Sequence, residues 1–101
     1  MEKNFGIYVN GCFHITFKNG VTVSSTMGVG TYCENRNIDG EYDYLSTHSE
    51  LQSNSAEICI WDKDGNYLTH KWKDDGDDTV GWQSPEQLLE ALNWASKYIG
   101  G

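Results

Sequence analysis

The segment "CFHITFKNGVTVSST", Cys12 to Thr26, decides the fold of this chain. Apolar residues alternate with polar ones on both sides of an Asn-Gly pair, and these are Phe13, Ile15, Phe17, Val21 and Val23. A period of two is typical of a strand that buries one face. Asn19-Gly20 favours a type I′ turn, because both residue types tolerate a positive φ. The segment therefore predicts two antiparallel strands joined by a tight turn.

A second Asn-Gly pair, Asn10-Gly11, lies just before this hairpin and follows the run "FGIYV", Phe5 to Val9. The same turn chemistry predicts that this run is a strand paired with the next one. The first quarter of the chain is therefore expected to be a three-stranded antiparallel meander.

A second β-region begins with "AEICIWD" at Ala56, where apolar residues again occupy alternate positions. The turn sequence "DKDGN", Asp62 to Asn66, follows it, and "YLTHKWK" is predicted to return as the fifth strand of a hairpin. The turn also resembles the start of a calcium loop. However, Tyr67 occupies the position of the EF-hand glycine, and Lys73 that of the bidentate glutamate. The hairpin interpretation is therefore preferred.

The C-terminal segment has the pattern of one amphipathic helix. Ser84-Pro85-Glu86-Gln87 is a capping box with proline at the first helical position. An apolar stripe follows at helical spacing: Leu88, Ala91, Leu92, Ala95, Tyr98 and Ile99. The predicted fold is a single α+β domain over residues 1–101, an antiparallel sheet of about five strands (the meander plus the hairpin) packed by this helix.

Composition and charge limit the classes of partner that the protein can bind. The chain has 101 residues and a net charge of −8, from 15 acidic and 7 basic residues. Such a charge disfavours direct binding to nucleic acid or to an anionic membrane, and suits a basic partner. No signal-peptide-like run or long apolar segment is present, and the three cysteines show no CxxC spacing. A cytoplasmic protein with reduced thiols is therefore expected.

Catalytic patterns are sparse. Cys12 and His14 share a strand face and could supply two zinc ligands, but no further ligands are placed by spacing. Cys33 beside Arg36 could have a lowered thiol pKa, yet no base or oxyanion site accompanies it. The chain has no Walker motif. We therefore expect no enzymatic activity, no metal and no cofactor.

Two segments are candidates for recognition. In "GVGTYCENRN", Gly28 to Asn37, the side chains of Tyr32, Asn35 and Arg36 offer an aromatic ring, an amide and a planar cation. The alternative is purely structural, with the glycines bending the chain as it leaves the sheet. The second segment, "KDDGDD", Lys73 to Asp78, is acidic, and the aromatic residues Trp61 and Trp72 are expected to face solvent and to bind a partner with it. Its candidate binding residues are Trp61, Trp72, Asp74, Asp75, Asp77 and Asp78.

Three segments together resemble a family of small uncharacterised bacteriophage and prophage proteins. They are "FHITFKNGVTVSSTMGVGTYCENR", "AEICIWDKDGNYL" and "VGWQSPEQLLEALNWA". The family pattern pairs an "ITFxNGxTVS" hairpin with "GxGxYCxN" and "AEVAxWD" segments, and the similarity spans most of Phe13 to Tyr98. The long acidic middle of this chain departs from that pattern. The resemblance implies a phage origin, a location in the host cytoplasm and an accessory role, and it implies no chemistry.

Two functional hypotheses follow. The first is an inhibitor that binds a basic host protein through its acidic surface, such as a CRISPR effector or another anti-phage defence component. The alternative is a protein that sequesters a nucleotide immune signal with Tyr32 and Arg36. Such a site would lie at a subunit interface, and therefore the alternative also implies a homo-oligomer.

Overall fold

The computed structural model describes residues 4–8, 11–27, 53–73 and 78–100. Within these ranges the predicted α+β architecture is confirmed, with an antiparallel sheet of five strands and a C-terminal helix on one face. The elements are β1 Phe5–Tyr8, β2 Cys12–Thr16, β3 Thr22–Thr26, β4 Ala56–Trp61, α1 Thr69–Trp72, β5 Thr79–Gln83 and α2 Pro85–Lys97. The strands lie in the sheet in chain order, and each pairs antiparallel with its neighbours.

The β2–β3 hairpin is present, but its turn differs from the prediction. Phe17 N–H donates to Val21 O at 2.9 Å, and Gly20 has a φ of 84°. Among the described non-glycine residues only Trp82 has a positive φ, so Asn19-Gly20 does not form a type I′ turn. The Asn19 side chain instead donates to Ala95 O at 2.8 Å and to Tyr98 O at 3.0 Å. Asn19 therefore connects this turn to the end of α2.

Gly20 is required for two reasons. Its positive φ is one that L side chains rarely adopt. In addition, a Cβ at this position would lie 2.7 Å from Lys63 Cβ, which is closer than real Cβ atoms approach. The turn therefore packs against the Asp62–Asn66 turn in a way that only glycine permits.

The prediction that "YLTHKWK" forms the fifth strand is wrong, although its turn and one antiparallel bridge, between Trp61 and Tyr67, are present. Residues 69–72 form the short helix α1, and the strand that pairs with β4 is Thr79–Gln83. Asp62 N–H donates to Asn66 O at 2.9 Å and closes the tight turn, and Leu68 N–H donates to Ile60 O at 2.7 Å just beyond it. Beyond it, the Thr69 hydroxyl accepts from Ile60 N–H at 2.9 Å. The Thr69 side chain thus supplies the acceptor that the backbone of a paired strand would otherwise supply to Ile60. The backbone leaves the sheet at this point and begins α1.

The start of α2 matches the predicted capping box. Ser84 Oγ accepts from Gln87 N–H at 3.2 Å, and Gln87 Oε1 accepts from Ser84 N–H at 2.7 Å. The helix ends at Lys97 and Tyr98 is extended, so the prediction that Ile99 belongs to the buried stripe is wrong. Ile99 is 96% exposed. No helix in the described ranges is long and apolar enough to cross a membrane.

The core lies between α2 and one face of the sheet. Its buried residues are Val21, Val23, Ile58, Ile60, Leu68, Ala91 and Ala95. Larger side chains pack around them and are partly exposed: Phe17, Trp72, Leu88, Leu92, Trp94 and Tyr98. Ala91 and Ala95 are fully buried, because their short side chains allow the helix to approach the sheet closely.

Candidate functional site

Six of the nine residues predicted to bind a partner lie outside the described residues: Tyr32, Asn35, Arg36, Asp74, Asp75 and Asp77. The other three are described, and they lie in different environments. Trp72 ends α1, Asp78 lies just before β5, and Trp61 ends β4. The structure therefore defines both ends of the acidic segment "KDDGDD".

The N-terminal end of this acidic segment is held by Trp72. The Trp72 side chain is partly buried and packs against the core cluster. Lys73 Nζ lies 5.1 Å from the centre of the Trp72 ring, within the range of a cation–π contact. Trp72 therefore stabilises the core, and only part of its side chain is accessible to a binding partner.

The C-terminal end is held at Asp78. Its side chain is exposed, while its backbone carbonyl accepts a hydrogen bond from Cys59 Sγ at 3.3 Å. The pKa of Cys59 is raised to about 11, mainly by burial and in smaller part by the negative charges of Asp78 and Glu57, while the hydrogen bond from Thr69 opposes the rise. Cys59 is therefore a protonated thiol at neutral pH, and it serves as a donor that fixes the end of the acidic segment.

Trp61 lies on the sheet face opposite α2, where it contacts His14. The two rings meet edge to face, with centroids 4.9 Å apart and an interplanar angle of 82°. Burial lowers the pKa of His14, so the imidazole is neutral at pH 7. On the same face, Cys12 Sγ and Ser24 Oγ lie 3.1 Å apart in a hydrogen bond.

These contacts bear on the zinc alternative. Cys12 and His14 do share a face, as their spacing indicates, but each already contacts another side chain. In the described part of the chain, no group of three or more His, Cys, Asp or Glu residues could hold a metal ion. The described residues therefore supply no metal centre.

In the calcium-like turn, the carboxylate of Asp62 accepts hydrogen bonds from the turn itself. Asp62 Oδ1 accepts from the N–H groups of Asp64 and Asn66, each at 2.9 Å, and Asp62 Oδ2 accepts from Asn66 Nδ2 at 3.2 Å. These hydrogen bonds, led by the backbone N–H of Asn66, lower the pKa of Asp62. The carboxylate thus stabilises the turn itself, as in an Asx-turn.

An exposed apolar area was missed by the sequence reasoning. Phe5 is 75% exposed and Ile7 is 90% exposed, although both point to the same sheet face as the core. Helix α2 packs against β3 and β5, and leaves the β1–β2 part of that face open. Phe5, Ile7 and the partly buried Phe13 belong to this part of the face, and they also help to line a shallow groove of about 340 Å³ at the β1–β2 hairpin, together with Gly6, Gly11, Cys12 and His14. We call the uncovered part of the face the open half-face.

The signal for the open half-face was present in "FGIYV", where Phe5 and Ile7 alternate in step with Phe13 and Ile15. It was missed because one helix was assumed to cover the whole apolar face. A helix is only about 10 Å wide including its side chains, whereas five strands at about 4.8 Å spacing are roughly twice as wide. Part of the face must therefore lack a helix.

A smaller cavity of about 110 Å³ lies beneath the start of α2 and is lined by Ser25, Gln83 and Leu88 among others. Ser25 Oγ and Gln83 Oε1 are buried and have no hydrogen-bond partner among the described residues. The amide of Gln83 donates to Gly81 O at 2.8 Å, so only its oxygen is unsatisfied. The adjacent Trp82 has a φ of 57° at a register shift in the β4–β5 pairing. The β5 end of the sheet is therefore locally strained.

The negative charge is distributed unevenly. The described residues contain six Asp or Glu and five Lys, so they carry a net charge of −1. The remaining −7 of the chain's −8 comes from two segments: residues 28–52 contribute −4 and residues 74–77 contribute −3. The charges of Glu2 and Lys3 cancel. The described scaffold is thus almost neutral.

The fold and these surfaces define a class: a small α+β protein with a nearly neutral scaffold, two acidic segments and one open apolar area. No family model, curated protein or solved structure matches this chain. Function is therefore inferred from its own residues.

Proposed function

We propose that this protein is a non-catalytic binding protein that recognises the basic surface of a partner protein through residues 28–52 and 73–78. The concentration of charge carries the proposal: −7 of the net −8 belongs to residues 28–52 and 74–77. Charge that served solubility alone would be expected to cover the scaffold as well. Clustered charge instead steers and orients a partner of opposite charge.

The anchoring of the acidic segment supports the same proposal. Trp72 packs against the core at one end, and the Asp78 carbonyl is hydrogen-bonded to Cys59 at the other. A segment whose two ends are fixed loses less conformational entropy on binding than one whose ends are free. Glu57 and Asp78 both lie close enough to Cys59 to raise its pKa, so they extend the negative potential onto the sheet.

The chemistry of the described side chains favours binding over catalysis. Cys59 is protonated at neutral pH because its pKa is about 11, and the nearby hydroxyl of Thr69 is fully buried. Neither group can serve as an activated nucleophile at an accessible site.

The resemblance to phage proteins extends the proposal to a host target. A defence nuclease or CRISPR effector has a basic channel for nucleic acid, and an acidic protein can occupy such a channel by presenting carboxylates in place of phosphates. The nucleotide-sequestering alternative depends on Tyr32 and Arg36, which lie outside the described residues. A bound nucleotide would be the result that favours this alternative.

The experiment compares affinity capture by three tagged proteins in lysates of cells that carry defence systems. They are the wild type, the variant Asp74→Asn/Asp75→Asn/Asp77→Asn, and the control Asp64→Asn/Glu86→Asn/Glu90→Asn, which removes the same charge from exposed scaffold positions. We expect the wild type and the control to retain one basic protein, and retention to fall as salt rises from about 0.05 to 0.5 M. The variant Asp74→Asn/Asp75→Asn/Asp77→Asn should retain much less of this basic protein.

Two results would contradict the proposal. One is equal retention by both triple variants, since the site of the charge would then be irrelevant. The other is a bound nucleotide in the purified protein, detected by absorbance and mass spectrometry, with no captured protein. That second result would favour the sequestering function instead.

A further inference from the structure

The edge strand β1 has an unpaired side. β1 is the first strand in the sheet order, and no described strand pairs with its outer edge. Thr16 N–H donates to Asn4 O at 2.8 Å, which fixes the hydrogen-bonding phase of the β1–β2 pair. Because this phase alternates along an antiparallel pair, the backbone groups of Gly6 face β2. Those of Phe5 and Ile7 point outward from the sheet.

The outward backbone groups and the exposed apolar side chains thus belong to the same two residues. Phe5 is 75% exposed and Ile7 is 90% exposed. Edge strands are normally protected by charged side chains, proline or a bulge, because an unprotected edge pairs with other strands. β1 has neither a charged residue nor a proline, and its pairing with β2 shows no register shift. Among the described residues, its short length of 4 residues is the one protective feature.

The absence of charge around β1 indicates which kind of partner can pair with this edge. From Asn4 to Phe17 the chain contains no Asp, Glu, Lys or Arg, although the whole chain carries −8. Two copies of so acidic a chain repel each other wherever their acidic segments meet, and an uncharged edge avoids that cost. A basic partner would gain nothing from this edge. The uncharged strand is therefore suited to a second copy of the same chain.

We propose that the protein forms a symmetric dimer in which β1 pairs antiparallel with β1 of a second copy about a twofold axis at Gly6. Phe5 of one copy then lies opposite Ile7 of the other, and both outward N–H and both outward C=O groups of each strand are satisfied. The two open half-faces become continuous, so that the Phe5 and Ile7 side chains of both copies pack together. Gly6, at the axis, adds no side chain to the crossing point.

The contact is small. Two side chains and a four-residue strand bury less than the roughly 800 Å² per partner of a standard interface, so the dimer should form at micromolar or higher concentrations. This proposal is independent of the acidic partner, because the two surfaces share no residue.

Sedimentation equilibrium from about 1 µM to about 1 mM tests the dimer. We expect the mass to rise from 11.4 kDa towards twice that value for the wild type. Ile7→Lys should remain monomeric, because it places two like charges at diagonal positions across the axis and removes the apolar contact with Phe5 of the other copy. The control Leu89→Lys changes an apolar residue of α2 that is 58% exposed, and it should associate like the wild type. Unchanged circular-dichroism melts would show that both variants fold.

Crosslinking tests the register. Residues at the axis form a non-hydrogen-bonded pair with Cα atoms about 4.5 Å apart, which a disulfide can bridge. In a background with Cys12, Cys33 and Cys59 changed to Ser, Gly6→Cys should form a disulfide dimer at least about tenfold faster than the exposed control Ser96→Cys. In urea the two rates should be equal. A wild type that stays monomeric, an Ile7→Lys variant that still dimerises, or equal crosslinking rates in native buffer would each overturn the proposal.

Discussion

The two halves of the helix-facing side of the sheet have the same sequence pattern and opposite exposures. In the half covered by α2, Val23 is 1% and Ile60 is 0% exposed. In the open half-face, Phe5 is 75% and Ile7 is 90% exposed. All four residues are apolar and occupy alternate positions of a strand. Alternation therefore indicates which face a residue is on, while the position of the helix decides whether it is buried.

The strongest test of this comparison uses one substitution in both halves. Ile60→Ala should reduce the free energy of unfolding by about 2 to 5 kcal/mol, because it leaves a cavity in a packed core. Ile7→Ala should change it by less than about 0.5 kcal/mol, because the side chain is already in solvent. Urea denaturation of dilute protein measures both. Similar losses for the two variants would mean that both halves are buried.

The covered half also depends on one buried hydroxyl. Thr69 is 0% exposed, and its Oγ1 accepts from Ile60 N–H at 2.9 Å. Thr69→Val keeps the shape and leaves that N–H unsatisfied, so we expect a loss of about 1 to 3 kcal/mol by urea denaturation. Thr79→Val, at a partly buried position in β5, is the control and should cost less. A neutral Thr69→Val would show that the hydrogen bond does not hold the chain at this point.

The helix that separates the two halves should be weakened by loss of its cap. Ser84→Ala removes the acceptor for Gln87 N–H, and we expect it to cost about 1 kcal/mol. Ser96→Ala, near the other end of α2, should cost less, since its hydroxyl bonds only to Asn93 O within the helix. Thermal melts of the two variants give the comparison. If Ser96→Ala cost as much as Ser84→Ala, the capping box would not be what secures the start of the helix.

The smallest effect is expected at the boundary between the halves. Ser25 is 1% exposed, and its hydroxyl has no hydrogen-bond partner in the part of the chain that the structure describes. Ser25→Ala should therefore be neutral or should stabilise the protein by up to about 1 kcal/mol. This sign is opposite to that for Thr69→Val, although both changes remove a buried hydroxyl. A clear loss of stability would mean that Ser25 is hydrogen-bonded, for example to an ordered water in the small cavity.

The successes of sequence reasoning share a physical basis. The capping box at Ser84 and Gln87 and the strand alternation around Phe13 and Ile15 involve residues close together in the chain. Such patterns depend on local geometry, so they can be read directly. The failures involve distant contacts. "YLTHKWK" has strand-like composition, but Leu68 enters the core and Thr69 bonds to Ile60, and the strand position passes to Thr79–Gln83.

For the candidate site, too, local features could be predicted from the sequence and features that depend on distant contacts could not. The acidic character of residues 74–78 was evident from sequence, whereas the anchoring of that segment by Trp72 and Cys59 was not. The open half-face could not be predicted either, since it depends on where α2 crosses the sheet. The position of α2 depends on contacts between distant residues: Asn19, for example, donates a hydrogen bond to Ala95 O, 76 residues further along the chain.

The sequence by itself determined the α+β class, the meander, the capped C-terminal helix and the presence of two acidic segments. Each of these follows from spacing, turn chemistry or charge along a short stretch of chain. Only the tertiary structure decided which strand pairs with β4, which part of the apolar face α2 covers and which backbone groups of β1 point away from all the other described strands. The physical reason is that burial and pairing depend on which distant segments meet, and local periodicity does not encode that choice.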